Sequence, residues 1–523
     1  MKELKKESIM KKSISVWGLS LCFILNVSGC STKNTEFASQ IKTSEYFDKI
    51  QHDPSKVRMF LKALPKGGDL HHHLDGAIYA ESYLSWAAAD GRCIKKADFT
   101  IYNNLNCQQN QEGIPVVELI KSPTLVEQAI NSMSVRNYQN ENVSGHDKFF
   151  STFSKFSGAV PGREGEMLAE VTQRAAEQNI HYLEIMVVFG IFDAVKLEEQ
   201  YKVDDIKHAV SQAIESKGIK KVTAEVIQLT NNAEHKKAEL LACNSASAKA
   251  GCHVEVRYLP AVIRVLPKNS IIPQTALAYQ LINEDERYVG VNFVAPEDYP
   301  VALNDYDWHM RLIKEFSAQY PKVADNVTLH AGELTAALVA NEQLKNHITN
   351  AVYIAGANRI GHGVSILHED SSQALMSYMA KEKILVEINL TSNDVILGIK
   401  DKDHPFSQYI SAGVPMALST DDEGIYRIDL THEYQRAVKS YQLSYSDLKS
   451  LSRNALEYSF LEGESLFSDY SSQSIAAQCK HDLLTKTALS DSCSQFLKAN
   501  EKAKLQWDLE KRFIIFESNY TTN

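Results

Sequence analysis

The chain predicts an α/β fold: a parallel (β/α)8 barrel of the TIM type, with an insertion after strand one and a C-terminal extension. Three observations predict it. Short apolar runs alternate with longer amphipathic stretches about eight times, the pattern of strand-then-helix units on a parallel sheet. Histidines and acids recur at the C-terminal ends of those runs, where barrels of this kind build their sites. The 523 residues exceed the ~250 that such a barrel needs, so the surplus belongs to insertions and ends.

The strand candidates are Asp69–Leu74, His181–Val188, Val222–Leu229, His253–Ile263, Tyr288–Val294, Asn326–His330, Arg359–Gly361, Ile384–Leu390 and Pro415–Thr420. Helical stretches lie between them, among them Arg163–Gln178, Gln274–Asn283, Asp307–Gln319 and Leu334–Asn350. The barrel is expected over 61–460, with the polar, poorly periodic segment 91–146 as its insertion and 461–523 as the extension. No fixed-period repeat or long low-complexity tract interrupts it.

Composition narrows the function. Hydrophobic residues make 44% and charged residues 23% of the chain, which argues against disorder, collagen and a polytopic membrane protein. The net charge of −10 leaves no electrostatic footprint for nucleic acid, so the expected partner is a small molecule.

The N-terminus reads as an export signal. Lys2, Lys5, Lys6, Lys11 and Lys12 precede a mostly apolar stretch, 14–27, too short to span a bilayer. It ends in Val27-Ser28-Gly29-Cys30, small residues before a cut site and then a cysteine, which resembles a bacterial lipobox. Residues 1–30 are therefore expected as a lipoprotein leader acylated at Cys30, and 31–60 as a tether and N-terminal segment, with 31–45 polar. The expected location is a bacterial membrane, by the lipid alone. Export also permits disulfides. Beyond Cys22 and Cys30, nearest-neighbour pairing of the remaining cysteines gives 93–107, 243–252 and 479–493.

Four motifs carry the chemistry. In Asp69-Leu70-His71-His72-His73-Leu74-Asp75-Gly76, alternate strand residues share a face, so His71 and His73 can meet one metal while His72 turns away. His330-Ala331-Gly332-Glu333 brings an acid back towards its strand end. Arg359-Ile360-Gly361-His362-Gly363 flanks a histidine with glycines, which let a ligand or backbone approach closely. Ser419-Thr420-Asp421-Asp422-Glu423 ends a strand in adjacent acids, which repel unless a cation or ligand lies between them.

Together these motifs resemble those of the adenosine deaminase family, in the metal-dependent amidohydrolase group, over about 350 residues. The leader and the insertion are also similar to the secreted, growth-factor-related branch of that family. The resemblance implies one zinc per chain, held by His71, His73, His330 and Asp421, which lowers the pKa of water towards ~7. It implies His362 orienting the attacking hydroxide and helping to take its proton. Glu333 would donate to the purine N1, Asp422 would bond N7, and Asp75 would hold a ribose hydroxyl. Ala295 stands where the family usually has a glycine whose N–H meets N3. The implied reaction turns adenosine or 2′-deoxyadenosine into inosine or 2′-deoxyinosine plus ammonia. A sibling reaction on adenine, a modified adenine nucleoside or AMP is the first alternative. A silent nucleoside-binding surface lipoprotein is the second, and the intact ligand set argues against it. The oligomeric state is left open by the sequence.

The leader generates a test. Replacing Cys30 by serine is expected to abolish lipidation, so that the protein moves from the detergent phase to the aqueous phase in a partitioning assay. Identical partitioning of the two proteins overturns the lipid anchor.

Overall fold

The computed structural model describes residues 28–102, 107, 113–197, 201–482, 484 and 488–521. Of the leader expected over 1–30, residues 1–27 lie outside these residues, and so does the side chain of Cys30.

Two helices precede the barrel, α1 (Ser28–Ile50) and α2 (Pro54–Ala63). Asp53 starts α2 by accepting from the Ser55 and Lys56 N–H groups, with Pro54 at the first helical position. The segment 31–45, expected as a polar tether, lies within α1 instead. Thr43, Phe47 and Ile50 make a buried stripe at helical spacing, and Tyr46 packs on Tyr520 with ring centroids 4.8 Å apart. A stripe this sparse leaves the composition polar, which is why the sequence read as a tether.

Eight parallel strands follow: β1 (Gly67–His73), β2 (Ile180–Val187), β3 (Glu255–Ile263), β4 (Asn292–Val294), β5 (Thr328–Ala331), β6 (Arg359–His362), β7 (Leu385–Ile388) and β8 (Met416–Leu418). The first four pair in order and so do the last four. Isolated parallel bridges, Val291 to Val327 and His72 to Asp421, join the two halves into a closed ring. The second seam is fixed by backbone: the His73 N–H donates to the Asp421 carbonyl at 3.0 Å, and the Asp421 N–H to the His71 carbonyl at 2.9 Å. The strands are buried along nearly their whole length, as parallel strands covered on both faces must be.

The insertion contributes a small hairpin, Cys93–Lys95 with Gly113–Pro115, and leads into α3 (Gly145–Phe156). Phe149 of α3 stacks on Tyr426, centroids 5.0 Å apart and planes 3° apart. That contact lays α3 against the turn that follows β8, on the C-terminal face.

Two expected elements change identity. Val222–Leu229 was expected as a strand and lies inside α4 (Lys217–Leu240). Ile219, Val222, Thr223, Val226, Thr230 and Ala233 are its buried residues. Their spacing is helical, and Ser216 caps the helix by accepting from the Ile219 N–H; β-branched content misled the reading where period decided. Leu334–Asn350 was expected as one helix. It holds instead a turn, a 3-10 segment at Asn341–Leu344 and a short helix at His347–Tyr353. Residues 336 and 337 and 340–342 are exposed, so no apolar stripe exists there to bury.

After β7, helix α5 (Leu390–Leu397) runs beside the mouth, and α6 (Glu501–Ser518) closes the chain. The extension builds its own small core around Leu466, Phe496 and Trp507. It returns along α6 to the N-terminus, where the Thr43 hydroxyl reaches the Glu517 carbonyl.

Three disulfides join Cys93 to Cys107, Cys243 to Cys252 and Cys479 to Cys493, the nearest-neighbour pairing. They close loops of 14, 9 and 14 residues. Closing a loop of this size is worth ~3 kcal/mol in the chain-entropy model. Reducing agent is expected to lower the thermal midpoint by ~5–10 °C while bound metal stays unchanged. Thiol titration of denatured, unreduced protein should find these six cysteines blocked, and six free thiols would end the idea.

Candidate active site

The strand ends converge as the sequence predicted. His71 Nε2 lies 3.1 Å from His330 Nε2, and His73 Nε2 lies 3.2 Å from the same atom. Asp421 Oδ1 lies 3.3 Å from both His71 Nε2 and His73 Nε2. Four ligand atoms around one zinc at its usual bond lengths are spaced ~3.3–3.4 Å apart. The four side chains therefore fit a tetrahedral divalent cation. His362 also belongs to the buried group, its ring nitrogen lying within 4.8 Å of the His71, His330 and Asp421 ligand atoms. His72 is buried but turned away, with Nδ1 3.0 Å from the Thr420 hydroxyl.

Neighbouring side chains decide which nitrogen faces the centre. His71 Nδ1 lies 2.7 Å from Glu387 Oε2, and His330 Nδ1 lies 2.7 Å from Asn292 Oδ1. Both partners are acceptors, so both Nδ1 atoms carry protons and both Nε2 lone pairs point into the cluster. This is how metal-ligating imidazoles are held. Despite burial, Asp421 and Glu387 hold the His71 ring up at about 10. The extra proton sits where a cation would sit, which is further sign of a cation-seeking site. Sequence reasoning missed Glu387 and Asn292. Their signal was present: a lone polar residue inside each of two apolar strands.

The backbone is strained here. Ala295, His362 and Asp421 have φ of 79°, 68° and 60°, a region that costs a non-glycine residue ~1 kcal/mol or more. Two glycines allow close approach. A Cβ on Gly76 would lie 1.5 Å from Asp422 Oδ1, and one on Gly361 would lie 2.7 Å from the His71 ring.

The acids are sorted by environment. Glu297 accepts from the Gly332 and Glu333 N–H groups at 3.0 and 2.9 Å and pairs with His347 at 2.6 Å. That clamp folds the turn after β5 and turns Glu333 back towards the mouth. Burial, reinforced by Asp421 and Glu297, pushes Glu333 well above the carboxylate range. Burial and the adjacent Asp421 do the same to Asp422. Asp421 goes the other way: hydrogen bonds from His71 and His73 outweigh its burial and hold it well below the usual range. One carboxylate is thus held down beside two that are pushed up. Burial raises Asp75 to about 6, helped by Glu164.

Asp422 Oδ1 and His362 Nε2 are buried without partners among the described residues, and both border the cluster. Ala295 joins the same mouth through Arg264, which donates to the Ala295 carbonyl at 2.9 Å and to the His330 carbonyl at 2.8 Å. Arg427 is a loop ion pair, reaching Glu81 through both terminal nitrogens at 2.9 and 2.7 Å.

A family model for adenosine deaminase matches residues 239–466, the span that holds three of the four motifs. Over that span the chain resembles the adenosine deaminase family. An adenosine deaminase from Shewanella denitrificans is 37% identical over 152 residues, and one from Vibrio parahaemolyticus is 34% identical over 152. Each alignment covers 28% of this chain and 42% of the relative, so the match spans about two fifths of those proteins' length. Among solved structures, arabidopsis ADAL complexed with GMP has the same fold, with a TM-score of 0.50 at 20% identity over 77% of this chain and 94% of its own.

The geometry makes Glu387 a test residue. Glu387→Gln keeps the shape but removes the charge that Arg359 and His71 share. It is expected to weaken zinc binding ~10–100-fold and to cost ~3 kcal/mol or more of stability. Chelator competition and thermal denaturation measure both, and wild-type values in both would show that the ring of His71 is held by something else.

Proposed function

We propose that this chain is a zinc aminohydrolase that converts adenosine and 2′-deoxyadenosine to inosine and 2′-deoxyinosine with release of ammonia. The observation that carries the proposal is the juxtaposition of a four-residue cation-seeking cluster with a buried Glu333, which burial pushes well above the carboxylate range. Adding water to an aromatic amidine needs a strong nucleophile on carbon and an acid on the ring nitrogen. His71, His73, His330 and Asp421 would hold the metal. A bound zinc ion supplies Lewis acidity that brings the pKa of water towards ~7, so a strong oxygen nucleophile exists at neutral pH.

The chain's own residues do the rest. Glu333 gives its proton to N1, which breaks the ring's aromaticity and opens C6 to attack. Asp422, also protonated, presents a donor to N7. Asp75 takes a ribose hydroxyl, and the Ala295 N–H meets N3. His362 faces the attacking oxygen. Water adds at C6, the amino group leaves as ammonia, and inosine remains. Helix α3, stacked through Phe149 on Tyr426, roofs the turn that carries Asp422 and excludes solvent from it.

Charge supports a nucleoside over a nucleotide. The fold itself admits a nucleotide, since the arabidopsis protein binds GMP. Here the cations that frame the acidic turn are already paired: Arg427 with Glu81, Arg174 with Glu423 and Glu170, Arg136 with Glu127, and Lys148 with Glu141. A phosphate would have to break one of these pairs. We further propose that the protein is exported and anchored by a lipid on Cys30, on the strength of the leader sequence. Among the described residues no helix is long and apolar enough to cross a membrane.

Paired mutants test the assignment. His330→Ala is expected to lose metal and activity together. Glu333→Gln should retain zinc and bind substrate with little change, while kcat on adenosine falls ~10²–10⁴-fold. Metal analysis and steady-state kinetics on adenosine and AMP read this out. Near wild-type kcat in Glu333→Gln, or loss of its zinc, removes Glu333 as the acid, and preference for AMP removes the nucleoside reading.

A further inference from the structure

His362 stands apart from the other ring nitrogens of the cluster. His71 and His330 each turn Nδ1 to an oxygen acceptor. His362 turns Nδ1 to the amide nitrogen of Asn393, at 2.9 Å. A second amide nitrogen, that of Asn389, lies 3.5 Å from the same atom. Glu333 Oε1 is 3.4 Å away.

The orientation of the Asn393 amide is fixed from outside the pocket. The Phe406 backbone N–H can only donate, and it donates to His404 Nδ1 at 3.1 Å. His404 Nδ1 is therefore an acceptor, and the ring's proton is on Nε2. That N–H faces Asn393 Oδ1 at 3.0 Å. The amide oxygen is thereby committed to His404, and the amide nitrogen is left facing His362. His404 and His362 are both fully buried, and the Nδ1 of each faces a donor, the Phe406 N–H and the Asn393 amide nitrogen, so both rings are neutral.

We propose that His404 and Asn393 are positioning residues that lock His362 in the tautomer with its proton on Nε2, so that this ring offers the pocket a hydrogen bond and not a lone pair. Each link is a directional bond with one permitted polarity, so a backbone N–H at Phe406 sets the proton of a ring three groups away. Two consequences follow. His362 cannot be a fifth metal ligand, because its free nitrogen has no lone pair to give. It also cannot take a proton at Nε2, so the expectation that it helps remove one from the nucleophile is replaced. It serves as a donor to the attacking oxygen. The kinetic part of this inference rests on the proposed deaminase reading; the tautomer does not.

The test uses the whole mature protein with ring-¹⁵N histidine, in wild type and in Asn393→Asp, His404→Phe and His404→Gln. The His362 resonances are assigned by their loss in His362→Gln. In wild type, His362 should show a protonated Nε2 and a bare Nδ1. In Asn393→Asp a carboxylate accepts from both rings, so the His362 proton should move to Nδ1. Then kcat should fall ~10²-fold or more, in keeping with other wrong-tautomer variants, while zinc content is unchanged and KM moves less than ~3-fold. His404→Phe frees the amide and should lower kcat at least ~10-fold. His404→Gln restores an N–H donor to Asn393 and should recover activity to within ~3-fold of wild type. A protonated Nδ1 in wild type, or an unmoved proton in Asn393→Asp, overturns the proposal. So does a His404→Gln enzyme as impaired as His404→Phe. If the resonances are as expected but adenosine is not turned over, the relay stands and the substrate reading fails.

Discussion

A buried ion network holds the barrel and the histidine cluster at its mouth together. Arg359 of β6 donates through Nη2 to Glu184 of β2 at 2.6 Å and through Nε to Glu387 of β7 at 2.7 Å. Glu387 also accepts from Thr328 of β5 at 2.7 Å and from His71 of β1. Five strands thus meet at one guanidinium and its two carboxylates, in a layer that barrels of this type usually fill with branched apolar side chains. Arg359 is sandwiched further, with its charge 3.9 Å from the centre of the Phe460 ring. Burying these charges is costly unless every one is paired. Here the pairing is complete: Arg359 and the His71 hydrogen bond hold Glu387 down at about 2 in spite of its burial. The network therefore demands a cation at His71, whether a proton or a metal. Structural charge inside the barrel becomes ligand geometry at its mouth.

From that anchor the site separates its acids by distance from positive charge. Asp421 sits against two imidazoles and is an anion. Glu333, 3.4 Å from the His362 ring, and Asp422 have no partner that offsets their burial, which pushes both well above the carboxylate range. Side chains of one chemistry take opposite roles because burial penalises charge and only a neighbouring cation reverses the penalty. The arrangement has an order of cause. The clamp of Glu297 on the turn after β5 places Glu333, Glu333 faces the cluster, and the charge of Asp421 then raises it.

Much of this was legible in the sequence, and the part that was not has a common reason. Alternation in a strand is local, so His71 and His73 could be read as sharing a face with His72 turned away. The expected export signal and short spacing made the three cysteine pairs readable. Glu387, Asn292 and Asn393 were missed because each meets its ring nitrogen across 31 or more residues of chain. Glu387 needs His71, which is 316 residues away, and Asn393 needs His362, which is 31 away. The errors of secondary structure were of another kind. Val222–Leu229 was judged on β-branched content when its buried positions follow a helical period. The segment 31–45 was judged on polarity when one sparse stripe was enough to seat α1.

The strained residues show why the fold tolerates such a site. Ala295, His362 and Asp421 each lie at the C-terminal end of a strand with positive φ. That geometry turns the chain sharply inward, which brings a side chain or an N–H into the barrel axis where a continuing strand would carry it past. A glycine would do this without strain but would bring no imidazole or carboxylate, so at His362 and Asp421 the strain is inseparable from the chemistry. Ala295 is different. What it brings to the mouth is backbone, which a glycine would supply equally well, and its methyl adds only bulk. Retaining alanine at a left-handed position therefore costs stability with no catalytic return visible in the pocket, unless the methyl itself contacts substrate. The same reasoning separates His362 and Asp421, whose strain delivers a side chain to the cluster, from Ala295, whose strain delivers only a methyl and a backbone amide.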